Sequence, residues 1–245
     1  MYFEKAYEIS TMDLDCFDHC KASALLGYLQ DAAGLAAGQY GATNPEMIQK
    51  HGHCWMVVRT AFTLTRPLRW GDVLTIQTWH RGGEKPLMYR DFELSVDGQS
   101  IGQALSIWVL VDLQTHAMTR PDHFPEFAGT DGGALIRATK LPKAKLPAAL
   151  TPAGKRLLYY SETDGNGHVN NTRYADFLCD ALELHKAPPG TFVKEFYISY
   201  LQECKAGETL ELLVGETDGQ RHVLGRDPGG VHRFHGYAVT GESFP

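Results

Sequence analysis

The residues best suited to chemistry in this 245-residue chain lie in one tract, Asp164-Gly165-Asn166-Gly167-His168-Val169-Asn170-Asn171. A carboxylate, a carboxamide and an imidazole fall within five residues. Such a set can move a proton, hold a water molecule and stabilise developing negative charge. Gly165 and Gly167 keep bulk away from the polar groups and allow positive φ or close approach of a ligand. The apolar residues that follow, Tyr174, Phe177, Leu178, Ala181, Leu182 and Leu184, recur at helical spacing, so the tract is expected to form a loop entering a helix. Helix N-termini favour anions. An Asn/Gly turn with a cap and no chemistry would carry the same residues, and the tract alone leaves both readings open.

The elements that must position the tract occur twice. A shift of 149 positions lays Asp15 on Asp164, His19 on His168, Tyr28 on Phe177 and Leu29 on Leu178. A second, slightly different shift lays Phe62, Leu64, Gly71 and Asp72 on Ile198, Tyr200, Gly207 and Glu208. A turn and helix, then a strand with a Gly-acid turn, recur in order, as expected for one domain-sized unit duplicated in the chain. Phe17 stands where Asn166 stands in the second copy, and Pro67 where Glu203 stands. The first copy has lost its polar chemistry, which leaves one site per chain.

Periodicity supplies the rest. Met1 to Ile9 alternates like a strand. Ala22 to Ala37 is apolar nearly all round at helical spacing, a helix to be buried on most sides. Alternating runs follow at Trp55–Thr65, Val73–Trp79, Met88–Val96 and Ile101–Leu113, and again at Phe192–Leu201, Thr209–Glu216, Arg221–Arg226 and Val231–Val239. Asp97-Gly98 and Asp218-Gly219 mark hairpin turns. One buried helix wrapped by an antiparallel sheet, twice over, makes an α+β chain with a tandem (double) hot-dog fold. The boundaries expected are an N-terminal domain at 1–136, a basic, Pro-containing linker at 137–155, and a C-terminal domain carrying the chemistry at 156–245.

Composition excludes several classes. With 43% hydrophobic and 21% charged residues the chain is globular, and its net charge of −6 argues against a nucleic-acid binder. From Arg137 to Arg156 there are six basic residues and no acid, a solvated connector or a docking strip for an acidic partner. Five cysteines at 16, 20, 54, 179 and 204 show no CxxC pairing, which fits a reducing compartment. No signal peptide, no organelle transit segment and no run long enough for stable membrane insertion is visible. His51-Gly52-His53-Cys54 fits no zinc spacing, so no metal and no cofactor is expected. Trp55, Trp70 and Trp108 are expected to pack rather than to select a ligand.

The tract at 164–171 followed by Tyr174, together with Tyr200-Leu201-Gln202-Glu203-Cys204, resembles the acyl-acyl carrier protein (acyl-ACP) thioesterases. The resemblance covers almost the whole chain, Trp79 included, and implies the double hot-dog fold. By matching positions it places the family's catalytic residues on Asp164, Asn166, His168 and Glu203, with Cys204 as an alternative nucleophile. It also implies a carrier protein bearing a fatty acyl chain as partner. The targeting extension of the plant members is missing, which points to a bacterial, cytoplasmic protein.

The chemistry implied is attack on a thioester carbonyl. Glu203 or Asp164 near apolar walls would serve as base, His168 as proton shuttle, and Asn166 as holder of water or of the thioester oxygen. The backbone N–H groups opening the helix after Asn170 and Asn171 would add to the oxyanion site. Direct attack by Asp164 through a mixed anhydride stays open. Ala33 and Gly34, small residues on the first helix, would leave room for the acyl chain. An acyl-coenzyme A thioesterase and a non-catalytic acyl-binding protein remain as alternatives, and a homodimer is neither required nor excluded.

Overall fold

Alternation over eight long segments gives a chain built mostly of strands. The computed structural model describes residues 2–82, 86–130, 132 and 141–243. In order these form β1 (Phe3–Glu8), α1 (Ala22–Gly38), α2 (Asn44–His51), β2 (His53–Leu64), β3 (Val73–His80), β4 (Met88–Val96), β5 (Gln99–Asp112) and β6 (Met118–Thr119). There follow β7 (Thr151–Leu157), α3 (Arg173–Ala181), β8 (Thr191–Tyr200), β9 (Thr209–Thr217), β10 (Gln220–Arg226) and β11 (His232–Glu242). Close packing gathers the chain into two units. One comprises Met1–Ile9, Gly27–Phe62 and Gly71–Leu141; the other comprises Ser10–Leu26, Thr63–Trp70 and Pro142–Pro245.

In the first unit the strand order is β1-β3-β4-β5-β2, with β6 added to β5. The pairs β1/β3, β3/β4 and β4/β5 are antiparallel. Leu29, Ala32, Ala33 and Ala36 of α1 are buried, as are Ile76, Phe92, Leu94 and Leu105 of the sheet. Tyr7 of β1 fastens the helix, its ring 4.8 Å from that of Tyr28 and its hydroxyl donating to Asp31 at 2.7 Å. The short helix α2 starts at a capping box in which Thr43 N donates to Glu46 Oε2 at 2.9 Å, and it stops at Gly52, whose φ is +68°.

In the second unit the order is β8-β11-β10-β9-β7, antiparallel throughout. Tyr174, Ala175, Phe177 and Leu178 form the buried face of α3. The helix sits so close to β11 that a Cβ on Gly236 would lie 2.6 Å from Leu178 Cδ1. Part of the expected linker is structured: β7 begins at Thr151 and pairs with β9, its register shifting between Pro152 and Gly154. Proline is admitted there because this strand is an edge. Lys155 Nζ lies 2.9 Å from Glu211 Oε1, and the Arg156 guanidinium lies over the Phe177 ring and 3.2 Å from Asp180. These two cations therefore serve the fold, whereas Lys143 and Lys145 are exposed. Arg137 and Lys140 lie outside the described residues.

Candidate active site

The loop before α3 is closed by its own aspartate. Asp164 Oδ1 accepts from Asn166 N at 2.9 Å, and Asp164 Oδ2 accepts from Asn170 Nδ2 at 3.3 Å. Asp164 N donates to His168 O at 3.0 Å, and Val169 N donates to Cys204 O at 2.8 Å, which ties the loop to the segment after β8. Gly167 holds φ at +76°, a conformation that favours glycine. The earlier turn repeats this frame within the same unit. Asp15 Oδ1 accepts from Phe17 N and His19 N at 2.8 and 3.0 Å, Asp15 N donates to His19 O at 2.8 Å, and Cys20 N donates to Leu68 O at 2.8 Å. The side chains differ where the backbones agree. His19 is 2% exposed, with Nδ1 3.1 Å from Thr191 O.

In the second turn the frame delivers His168 to Glu203, with Nε2 3.1 Å from Oε2. Both side chains are partly open to solvent, at 29% and 49% exposure, so among the described residues Glu203 is not enclosed as expected. Glu203 is held through its backbone: its carbonyl accepts from Arg233 Nη1 at 2.8 Å, and Arg233 Nη2 is paired with Asp227 at 2.9 Å. The Asn166 side chain is exposed beside this pair in sequence and free of hydrogen bonds to described residues. Its amide can turn to a ligand.

Other expected roles are narrowed by geometry. Both oxygens of Asp164 accept hydrogen bonds from its own loop, an arrangement that draws charge from a nucleophile. Asn170 is spent locally, since its Oδ1 accepts from Thr172 N and Thr172 Oγ1 at 2.9 and 2.7 Å. Arg173 N donates to Asn170 O at 2.9 Å and Ala175 N to Thr172 O at 3.1 Å, so these two N–H groups opening α3 are committed to the turn itself and are not available to the expected oxyanion site. Asn171 is half-buried next to them. Cys204 is fully buried, and burial pushes its thiol above the ordinary range, the opposite of what a thiolate nucleophile needs.

The first unit carries a cavity of about 190 Å³. Ala33, Gly34 and Ala37 of α1 form one wall, and Trp55, Met88, Trp108 and Phe127 form others. A Cβ on Gly34 would meet nothing within 4 Å. Trp55 and Trp108 pack, as expected, against the core cluster that includes Met88, Phe124 and Phe127, and they line the cavity as well, whereas Trp70 is 70% exposed rather than packed. His51 and His53 are committed to hydrogen bonds, the first with Glu126 at 2.9 Å, the second with His51 O at 2.7 Å and Thr119 at 2.9 Å. Sequence reasoning missed His222 and His235, both buried, stacked, and 2.9 Å apart from Nδ1 to Nε2. Their alternate positions on facing strands β10 and β11 were the available signal.

Residues 1–123 match the family model of the acyl-ACP thioesterase N-terminal domain, and residues 157–227 match that of the C-terminal domain. The chain belongs to the acyl-ACP thioesterase family. The second match contains the whole loop, His168, Glu203 and Cys204. A palmitoyl-acyl carrier protein thioesterase from Gossypium hirsutum is 27% identical over 244 residues, covering 89% of this chain and 56% of its own length. The chain thus spans about half the length of that relative. An acyl-ACP thioesterase from Bacteroides thetaiotaomicron superposes with a TM-score of 0.87 at 20% identity, covering 98% of both chains. The 12:0-ACP thioesterase of Umbellularia californica superposes with a TM-score of 0.82 at 19% identity, covering 99% of this chain and 98% of its own. These likenesses establish the double hot-dog fold. Among the described residues no helix is long and apolar enough to cross a membrane.

Proposed function

We propose that the chain hydrolyses the thioester of fatty acyl-acyl carrier protein, releasing the free fatty acid and ending elongation. The observation that carries this reading is the His168–Glu203 pair at 3.1 Å, beside the uncommitted Asn166, inside a segment matched to the family. Glu203 orients the imidazole and stabilises its cationic form. His168 takes a proton from water as the water oxygen bonds to the carbonyl carbon. The Asn166 amide donates to the carbonyl oxygen as it gains charge. On collapse the C–S bond breaks, and the thiol leaves with the proton that His168 returns. Asp164 is a positioning residue that holds the loop through Asn166 N and the Asn170 side chain, and the half-buried Asn171 next to them is assigned to substrate contact.

The first-unit cavity, with Ala33 and Gly34 in its wall, is assigned to the acyl chain. The same reading keeps 1–136 and 156–245 as the duplicated domains and 137–155 as the segment joining them. It takes the exposed Lys143 and Lys145 as contacts for an acidic carrier protein, in a cytoplasmic setting, and leaves a homodimer to be measured. Turnover on acyl-ACP and acyl-coenzyme A at equal concentration tests the proposal. Faster turnover on acyl-ACP is expected; faster turnover on acyl-coenzyme A, or none on either, would sink it.

A further inference from the structure

An alkyl chain needs only an apolar cavity, yet the wall of this one contains a guanidinium. Arg90, on β4, is 8% exposed and lines the cavity with Met88 and Tyr89. Its contacts among the described residues are neutral hydroxyls: Nη2 donates to Tyr40 Oη at 2.9 Å and Nη1 to Thr78 Oγ1 at 3.4 Å. No carboxylate among the described residues lines the cavity. The neighbouring carboxylate, Asp91, is fully buried and lies 3.2 Å from Arg81 Nε.

An arginine carries five N–H donors and keeps its charge at any working pH. Two hydroxyls leave donors that water can satisfy while the cavity is open. A saturated chain filling the cavity would strip that water and return nothing, and a buried cation without acceptors is costly. A chain carrying an oxygen would replace the lost hydrogen bond with a charge-assisted one. Gln30, Thr43, Asn44 and His80 also line the cavity, but Arg90 is its one cation that keeps its charge at any working pH among the described residues, and a few placed polar groups commonly set orientation and specificity in such pockets.

We infer that this cavity selects acyl chains bearing an oxygen acceptor, a hydroxyl or a keto group, and that Arg90 is the residue that recognises it. The inference rests on the proposed hydrolysis of acyl-ACP and sharpens its substrate class. It also predicts a sign. In a purely apolar cavity a hydroxyl loses its water and binds more weakly than hydrogen. With Arg90 as partner the order reverses.

Trp55 and Trp108 both line the cavity, so tryptophan emission reports its occupancy without turnover. The intact protein is titrated with fatty-acid methyl esters of one chain length, unsubstituted or carrying a hydroxyl at successive positions. The same series, as acyl-ACP, gives kcat/KM. At least one hydroxylated position is expected to bind about tenfold or more tightly than the unsubstituted ester, with the ratio falling to one or below in Arg90→Met and partly restored in Arg90→Lys. A wild-type ratio of one or below at every position overturns the inference, as does a ratio that Arg90→Met leaves unchanged. If Arg90→Met does not fold, the ratio in wild type and in Arg90→Lys decides. Failure to hydrolyse any acyl-ACP would defeat the proposed function and leave the binding result standing by itself.

Discussion

Gly34→Leu places the assignment of the cavity under a direct test, because two accounts of this glycine predict opposite signs. If Gly34 is small to let α1 pack closely, a leucine clashes and the protein melts lower. If it is small to leave room for a ligand, the leucine enters empty space. A Cβ built on Gly34 meets nothing within 4 Å, which favours the second account. Replacing a glycine inside a helix then raises helix propensity by up to about 1 kcal/mol, so the melting temperature should hold or rise. The side chain displaces roughly three methylenes of a long acyl chain, each worth about 0.8 kcal/mol. The loss is about 2.4 kcal/mol, or roughly sixty-fold in kcat/KM for chains long enough to reach that wall. Shorter chains should be hydrolysed nearly as before. Gas chromatography of products from a mixed acyl-ACP pool, alongside a thermal melt, reads both quantities. An unchanged product distribution with a lowered melting temperature would refute the argument.

Three further outcomes are expected. His168→Ala should reduce turnover by two or more orders of magnitude, the usual scale for general acid–base groups, whereas His19→Ala should change stability and leave the chemical step near normal; equal loss of kcat in two folded variants would count against a single site. Glu203→Ala should lose most activity while Cys204→Ala keeps an appreciable part, and an acyl group trapped on Cys204 by mass spectrometry would reverse that assignment. His235 is held down to about 4 from 6.5, first by burial and then by His222 and His232. The unfolded chain therefore binds more protons in that window, and stability should be lost as pH falls from about 6.5 through about 4. Melting temperatures against pH should show a flatter slope in His235→Asn, and an identical slope would remove His235 from the account.

The long strands were legible because their period of two survives in the sequence, and each observed strand among them begins and ends within two or three residues of its alternating run. The helix α2 left a legible signature at Thr43, Pro45, Glu46 and Gly52, and its eight residues are too few for periodicity to reveal. Strand β7 was illegible for a different reason: it is an exposed edge containing Pro152 and Gly154, so neither apolar alternation nor β-propensity marks it. For the site, the turn chemistry of Asp164 and Gly167 could be read locally. The approach of Glu203 to His168 could not, since it depends on a backbone hydrogen bond from Val169 N to Cys204 O and on the Arg233 guanidinium donating to Glu203 O. Only the family resemblance placed those two side chains together. The exposure of Glu203 is a tertiary fact that no spacing encodes, whereas the turn of Asn170 onto Thr172 is local and the Asn-x-Thr spacing was its available signal.

The twin turns at Asp15 and Asp164 carry a consequence for how such a chain diverges. Each is closed by an aspartate accepting from groups of its own loop and by one amide reaching the segment that follows a strand, and neither closure uses the side chain at position 17 or 166. Shape is thus inherited separately from reactivity. One copy could exchange an amide for the ring of Phe17 and a carboxylate for the ring of Pro67 without losing its form, and its histidine could turn inward to serve as a bolt on the Thr191 carbonyl. A lineage built on this loop can retire one reactive centre and retune the other while the scaffold beneath both stays constant.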